Sequence, residues 1–419
     1  MLPILLGELT AGVSVYEGYN DNVIETRPAP GMPTERRGSP FTGAEVNLGL
    51  SDSDERNSWF SRLSARGNYY TPLGDQFVGG NDGAVLFAIG GGWGIGSFSS
   101  MSTGHAVTLA EQNTARLADI PLLMLDPSAG RQTFVFVSND VTFRQELRPD
   151  TRFRITLGSG ARYILRDSAL ESAGRGWDYA GPRVETEWAK DLSSADTGAV
   201  RVIAGMWHMP RALLDLSGRR GPSKTWQMTP LAVWMHAHSE SLTSEVTGGA
   251  SFAVTDNEVT TRFTVAPSFS GQLIWIQDER FAQLQYGLGI NTDNISLGPG
   301  LSHSVRGQYG GALGRSHAAR RFVGALTTRL SRANIPTTDD SEFVAVTAGA
   351  GGLLRYALGG VVGLVVGYEG QYLNMRRDSL RDDGPSTTFY RNVVYVGVST
   401  VVSTEDGFMP LDIPRAPRR

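Results

Sequence analysis

Apolar and polar side chains alternate with a two-residue period, in runs of roughly ten to sixteen residues, along nearly the whole chain. Between 152 and 165 one series is Phe153, Ile155, Leu157, Ala161, Tyr163 and Leu165, and the other is Arg152, Arg154, Thr156, Gly158, Gly160 and Arg162. Successive strand side chains point to opposite faces, so this stretch has one oily wall and one wet, cationic wall. Phe263, Val265, Phe269, Leu273 and Trp275 separate in the same way from Arg262, Thr264, Ser268, Ser270 and Gln272. So do Leu284, Tyr286, Leu288 and Ile290 from Gln283, Gln285, Gly287, Gly289 and Asn291. A soluble sandwich alternates too, because its oily faces pack on each other. Length and repetition decide between the two.

About eighteen such stretches can be counted, from 11–20, 42–50 and 58–71 at one end to 342–357, 360–374 and 388–404 at the other. Strands of soluble proteins commonly run ~5 or 6 residues, whereas a strand crossing a bilayer needs ~9 to 11. A soluble protein with this many half-oily strands needs a second layer to cover them. The only candidate helix formers are short stretches such as 116–125. No window offers the ~18 uncharged apolar residues of a spanning helix, so a membrane location requires a closed barrel. The expected fold is all-β: a transmembrane up-and-down antiparallel barrel of about eighteen strands, with sixteen as the alternative. It divides into an N-terminal periplasmic segment at 1–9, one barrel domain at 10–404 and a periplasmic tail at 405–419.

The connections alternate in length. "SDSDERN" at 51–57, "GWGIG" at 92–96, "RPDT" at 148–151, "SSAD" at 193–196, "QDER" at 277–280 and "ALGG" at 357–360 are short. Those between them, such as 26–40, 114–130, 209–224 and 375–387, are longer and richer in proline or charge. Short turns on one rim and long loops on the other match an outer-membrane barrel, with the short side periplasmic. "VTDNE" at 254–258 breaks the rule. Trp59, Tyr69, Tyr70, Trp177, Trp188, Trp226, Trp275, Phe281, Phe389 and Tyr390 lie near strand ends, where interfacial girdles would place them; aromatics also favour strands generally.

Composition narrows the function. A net charge of -4 over 419 residues argues against a nucleic-acid partner. The absence of cysteine removes disulfides, thiolate metal sites and cysteine nucleophiles. "MLPILLGELTAG" at the start lacks a basic n-region, so export would require a signal peptide removed ahead of the numbered chain. No Gly-x-Ser-x-Gly elbow is present, and the glycines of "GGGWGIG" at 90–96 lack the helix that would hold a pyrophosphate. His236 and His238 share a strand face at a chelating spacing, but no cysteine or suitably spaced carboxylate completes a set. The expectation is a protein that is not an enzyme and has no cofactor or metal.

Function should then lie on the wet wall. Arg62, Arg66, Arg152, Arg154, Arg162, Arg183, Arg201, Arg262, Arg321 and Arg329 alternate with apolar neighbours, and Glu185, Glu187 and Glu369 face the same way. An arginine on the lipid face costs ~2 to 4 kcal/mol at the midplane, so these side chains should line the lumen. They can either hydrogen-bond anionic groups of a passing solute or pair with the glutamates into a stiffening lattice. Ile120, Leu122, Leu123, Met124 and Leu125 are too apolar for an ordinary exposed loop and suit a constriction folded into the lumen; contact with a partner or with lipid headgroups is the other reading.

Gly18, Tyr19, Asn20, Asp21, Asn22 and Val23 at the end of the first strand, with the barrel pattern over nearly the whole chain, resemble bacterial outer-membrane β-barrel porins of the exopolysaccharide-secretion type. That resemblance implies a conduit for an exported polysaccharide working with a periplasmic polysaccharide-export protein. Small polar solutes in the lumen, as in a diffusion porin, or a non-transporting scaffold or adhesin barrel, are the alternatives. Such barrels commonly end on an aromatic residue, whereas "EDGFMPLDIPRAPRR" follows the last strand here.

Overall fold

The computed structural model describes residues 8–21, 38–54, 56–71, 81–111, 132–167, 176–213, 220–277, 280–291, 300–313, 322–336, 342–358, 361–379, 382–383 and 387–403. They form β1 (Glu8–Asn20), β2 (Ser39–Ser53), β3 (Asn57–Tyr70), β4 (Asn81–Gly96), β5 (Ser99–Glu111), β6 (Gln132–Arg148), β7 (Thr151–Asp167), β8 (Gly176–Asp191), β9 (Asp196–Leu213) and β10 (Arg220–Ala237). Then follow β11 (Leu242–Asn257), β12 (Thr261–Gln277), β13 (Arg280–Asn291), β14 (Gly300–Ala312), β15 (Phe322–Pro336), β16 (Glu342–Ala357), β17 (Val362–Ser379), β18 (Asp382–Asp383) and β19 (Thr387–Ser403). No helix occurs among the described residues. β18 is a two-residue pairing on the end of β17; the other strands form the wall, each antiparallel to the next. β1 pairs with both β2 and β19, so the sheet closes into a barrel of eighteen staves.

The residues at 18–21 sit on this seam. Asp21 accepts the Asn392 backbone N–H at 2.6 Å and its side-chain amide at 2.7 Å, tying the end of β1 to β19. The Asp21 N–H donates back to the Asn392 carbonyl at 3.0 Å. Asn20 points inward and donates to the Tyr70 hydroxyl at 3.3 Å. A side chain at Gly18 would press on the Val394 carbonyl and the Phe41 ring, so only glycine lets the first and last strands approach.

Alternation assigns two faces to the wall. Val13, Val15, Leu48, Phe87, Val265, Leu284 and Val366 are exposed apolar side chains on the outside. The outward aromatics gather towards the rims: Trp59, Trp93, Trp188 and Trp234 on the short-turn side, Tyr19, Tyr69, Trp226 and Tyr390 on the other. On β10, Trp226 and Trp234 are about 26 Å apart along the strand, or about 20 Å along the axis at a tilt near 40°. That spacing falls a little short of the ~25 Å apolar band of outer-membrane barrels, which places both rings at its inner margins. The chain is an outer-membrane β-barrel: the closed wall satisfies its own backbone bonds, and its oily, aromatic-ringed exterior is stable only against lipid.

Several boundaries differ from the sequence reading. Tyr70 and Phe281 face inward and are buried, since Tyr69 already takes the outward position beside Tyr70 and Phe281 holds an inward one. The side chains of Trp177 and Phe389 lie outside the described residues. Residues 92–96 belong to β4, with the turn at 97–98 and a register shift between Gly94 and Gly96. β9 and β10 extend across most of 209–224 and leave only 214–219 between them. The segment 314–321 lengthens one connection on the otherwise short rim and, with 1–7 and 404–419, is outside the described residues.

One neighbouring pair is joined over only part of its length. β12 and β13 pair from Gln277–Arg280 up to Phe269–Leu288, which leaves Thr261 to Ser268 bonded to β11 alone. Beyond that point β13 turns inward. Ile290, expected on the oily wall, is instead buried against Ala253 and Ala266 on the inner faces of β11 and β12. The Gln227 side chain donates to the Ile290 carbonyl at 3.4 Å.

Candidate functional site

The inner wall carries the charged residues, and its densest group spans β7 to β11. Arg154, Glu187 and Arg201 are direct cross-strand neighbours, so strand register alone brings them together. Arg154 contacts Glu185 at 2.7 Å and Glu187 at 3.2 Å. Arg201 contacts Glu187 at 2.6 Å and reaches over β10 to Glu245 on β11 at 3.0 Å. Arg183 closes on Glu185 at 2.9 Å. Three arginines therefore meet three glutamates, and their charges balance. These side chains thus pair with one another across the strands.

A second group lies on the opposite side of the sequence. Arg66 on β3 reaches Glu369 on β17 at 3.3 Å, although β2, β1 and β19 separate the two strands along the wall. Their side chains are 8% and 14% exposed. The Arg66 Nε donates to the Tyr16 hydroxyl at 2.8 Å, which donates in turn to Asn68 at 3.0 Å. The guanidinium lies 5.4 Å from the Tyr16 ring centre and 5.8 Å from that of Tyr395. Tyr16, Phe41, Tyr70, Val365, Val393 and Tyr395 pack together beneath it. Aromatic side chains thus fill the interior here, and the buried cation is held by a carboxylate, a hydroxyl and π-faces.

The remaining predicted residues scatter. Arg62 is half-buried on the inner wall, between Gly49 and Ala88 in register. Arg152 is at the short-turn rim, paired with Asp191 at 2.6 Å with half of its side chain exposed. Arg162 is 2% exposed, with its guanidinium 5.7 Å from the Phe134 ring centre, so it is a packed wall residue with no surface left for a solute. Arg262 is exposed near the start of β12, above the last β12–β13 pair. Arg329 stands opposite Arg306 on the inner wall. Arg321 and the apolar stretch Ile120, Leu122, Leu123, Met124 and Leu125 lie outside the described residues.

The two histidines singled out for chelation each have another partner. His236 Nδ1 is 2.8 Å from Asp196, and His238 Nε2 is 3.0 Å from the Ser244 hydroxyl. No group of three or more metal-type ligands occurs among the described residues.

Sequence reasoning missed Glu245, Arg306, Arg355 and Arg391. Glu245 alternates inward with Thr243 and Thr247, and Arg306 with Ser304 and Gln308, so the same period would have found both. Arg355 is buried and donates to Ser399 at 3.0 Å and to the Val361 carbonyl at 3.2 Å. Arg391 is buried on the inner face of β19.

No protein-family model and no curated protein matches the chain. Among solved structures it is similar to the apoprotein form of the FrpB iron transporter (F5-1 variant) from Neisseria meningitidis. That likeness has 8% identity, 94% of this chain and 81% of that one covered, and a TM-score of 0.45. BauA, the ferric preacinetobactin receptor from Acinetobacter baumannii, gives 7%, 94%, 80% and 0.44. A ferric enterobactin receptor mutant from Pseudomonas aeruginosa gives 9%, 94%, 81% and 0.41. Values this low lend no weight to any shared cargo.

Proposed function

We propose that the barrel is a passive outer-membrane conduit for a hydroxyl-rich solute, with a polysaccharide leaving the cell as its sharpest form. The observation that carries this reading is the inner wall of β11 to β14. Thr247, Ser270, Gln272, Gln285, Ser304 and Gln308 all face inward by register. Hydroxyls and amides both donate and accept hydrogen bonds, as sugar hydroxyls do. In the neighbouring β7 to β11 sector the arginines are balanced by glutamates, while Arg306 on β14 and Arg329 on β15 add cationic donors beside these hydroxyls and amides, a set that suits a neutral or weakly acidic passenger. A periplasmic polysaccharide-export protein would meet the short-turn rim, and no chemical step is assigned to the barrel.

Single-channel recording on the purified chain in a planar bilayer tests this. Conducting events that neutral oligosaccharides interrupt, with longer residence for longer chains, are expected. Conductance without any dependence on chain length would indicate a diffusion porin. The aromatic filling around Tyr16 and Tyr395 favours a second reading, a non-conducting scaffold, for which no events would be seen.

A further inference from the structure

The exterior of β5 to β7 departs from the oily pattern at the middle of the belt. His105, Asn139 and Ser159 are register partners on three adjacent strands and all face outward. His105 Nδ1 is 3.0 Å from Asn139 Oδ1, and Asn139 Nδ2 donates to the Ser159 hydroxyl at 3.3 Å. The row is no rim feature. On β6 the outward neighbours of Asn139 are Val141 and Phe143 towards one rim and Val137 and Val135 towards the other. On β5 the outward neighbours of His105 are Thr103, followed by Met101, towards one rim and Val107, followed by Leu109, towards the other; on β7 Ser159 lies between Leu157 and Ala161.

We propose that this face is the contact between two copies of the chain in the membrane, with Asn139 at the axis relating them. Lipid tails offer no hydrogen bonds, so a linked imidazole, amide and hydroxyl at mid-belt favour a polar surface opposite. Two copies inserted in the same direction can be related only by an axis parallel to their barrels. Such an axis brings a residue against itself. After its bonds within the row, the Asn139 amide keeps one N–H and one carbonyl lone pair, the set that a symmetric amide–amide pair uses. Beside Ile89, the register partner of His105, several flanking outward positions are small or flat: Gly91 and Thr103 on one side, Ala161, Ala180 and Pro182 on the other. They allow a second wall to come close, as small residues do between membrane helices.

The chain has no cysteine, so one introduced thiol reports on this face cleanly. Val141→Cys, beside the proposed axis, and Val396→Cys, on the exterior of β19, are treated with a short bismaleimide in outer membranes, with heat-modifiable migration reporting folding. The expected product of Val141→Cys has twice the 45.2 kDa mass of one chain, with none from Val396→Cys. Adding Asn139→Leu to Val141→Cys should lower that yield about tenfold while the barrel stays folded. Val137→Cys replaces Val141→Cys should the latter fail to insert. Cross-linking no stronger than at Val396→Cys, a product of another mass, or a yield indifferent to Asn139→Leu each overturns the proposal.

Discussion

Glu185 and Glu187 hold the charge balance of the β7–β11 network, so their joint replacement by glutamine is the sharpest electrical probe of the lumen. The amides keep the shape and hydrogen-bonding of the carboxylates, while Arg154, Arg183 and Arg201 are left facing Glu245 alone. The group moves from balanced to an excess of two positive charges. At about 8 Å in water one charge acts on a passing ion with about 0.5 kcal/mol, and screening at about 0.1 M salt roughly halves this. Two such charges give about 0.5 kcal/mol, enriching anions by a factor of about 2.3 and depleting cations by as much. The anion-to-cation permeability ratio should therefore rise about fivefold, read as a shift in reversal potential across a salt gradient in a planar bilayer. The shift should shrink at higher salt. Coincident reversal potentials for variant and parent, in channels that conduct, would refute the placing of this network on the solute path.

Asp21→Ala removes two charge-assisted bonds at the closing seam and should destabilise the barrel by about 2 kcal/mol, measured as a lower urea midpoint in lipid vesicles. Asp21→Asn should recover part of that loss. Phe87→Arg places a guanidinium on the lipid face and should cost about 2 to 4 kcal/mol in the same assay, whereas Ala88→Arg, one residue on and facing the lumen, should cost far less. In the turn after β2, the Arg56 and Asn57 backbone N–H groups and the Asn57 side chain hold the Asp54 carboxyl below its ordinary range. A lowered folded value means the turn is fully supported above about pH 4 and loses that support as pH falls through it. Asp54→Asn should abolish this pH dependence, checked by amide exchange at Asn57 across the acid range.

The staves and their facing were legible because side-chain period, strand length and membrane cost all point one way. Val265 and Gln272, or Leu284 and Gln285, could have only one orientation each once the wall was known to close. What pairs across the lumen was less accessible. Arg66 and Glu369 lie 303 positions apart and meet only because the interior between them is packed with rings. Glu245 was overlooked because its strand, rich in threonine and glycine, has little contrast between faces. Proximity to a strand end puts both Tyr69 and Tyr70 in a girdle, but neighbouring strand residues cannot share a side. Ile290 followed the alternation in sequence, but β13 leaves the wall before reaching it, and no local pattern announces that bend.

That departure leaves a flaw in the cylinder. Between β12 and β13 fewer backbone bonds join neighbouring staves than at other junctions of the wall, and all of them lie toward the short-turn end. A zipper fastened at one end parts most readily from the other. Under heat, denaturant or mechanical pull, the first tear should therefore run down this junction, separating a piece that ends in β12 from one that begins in β13.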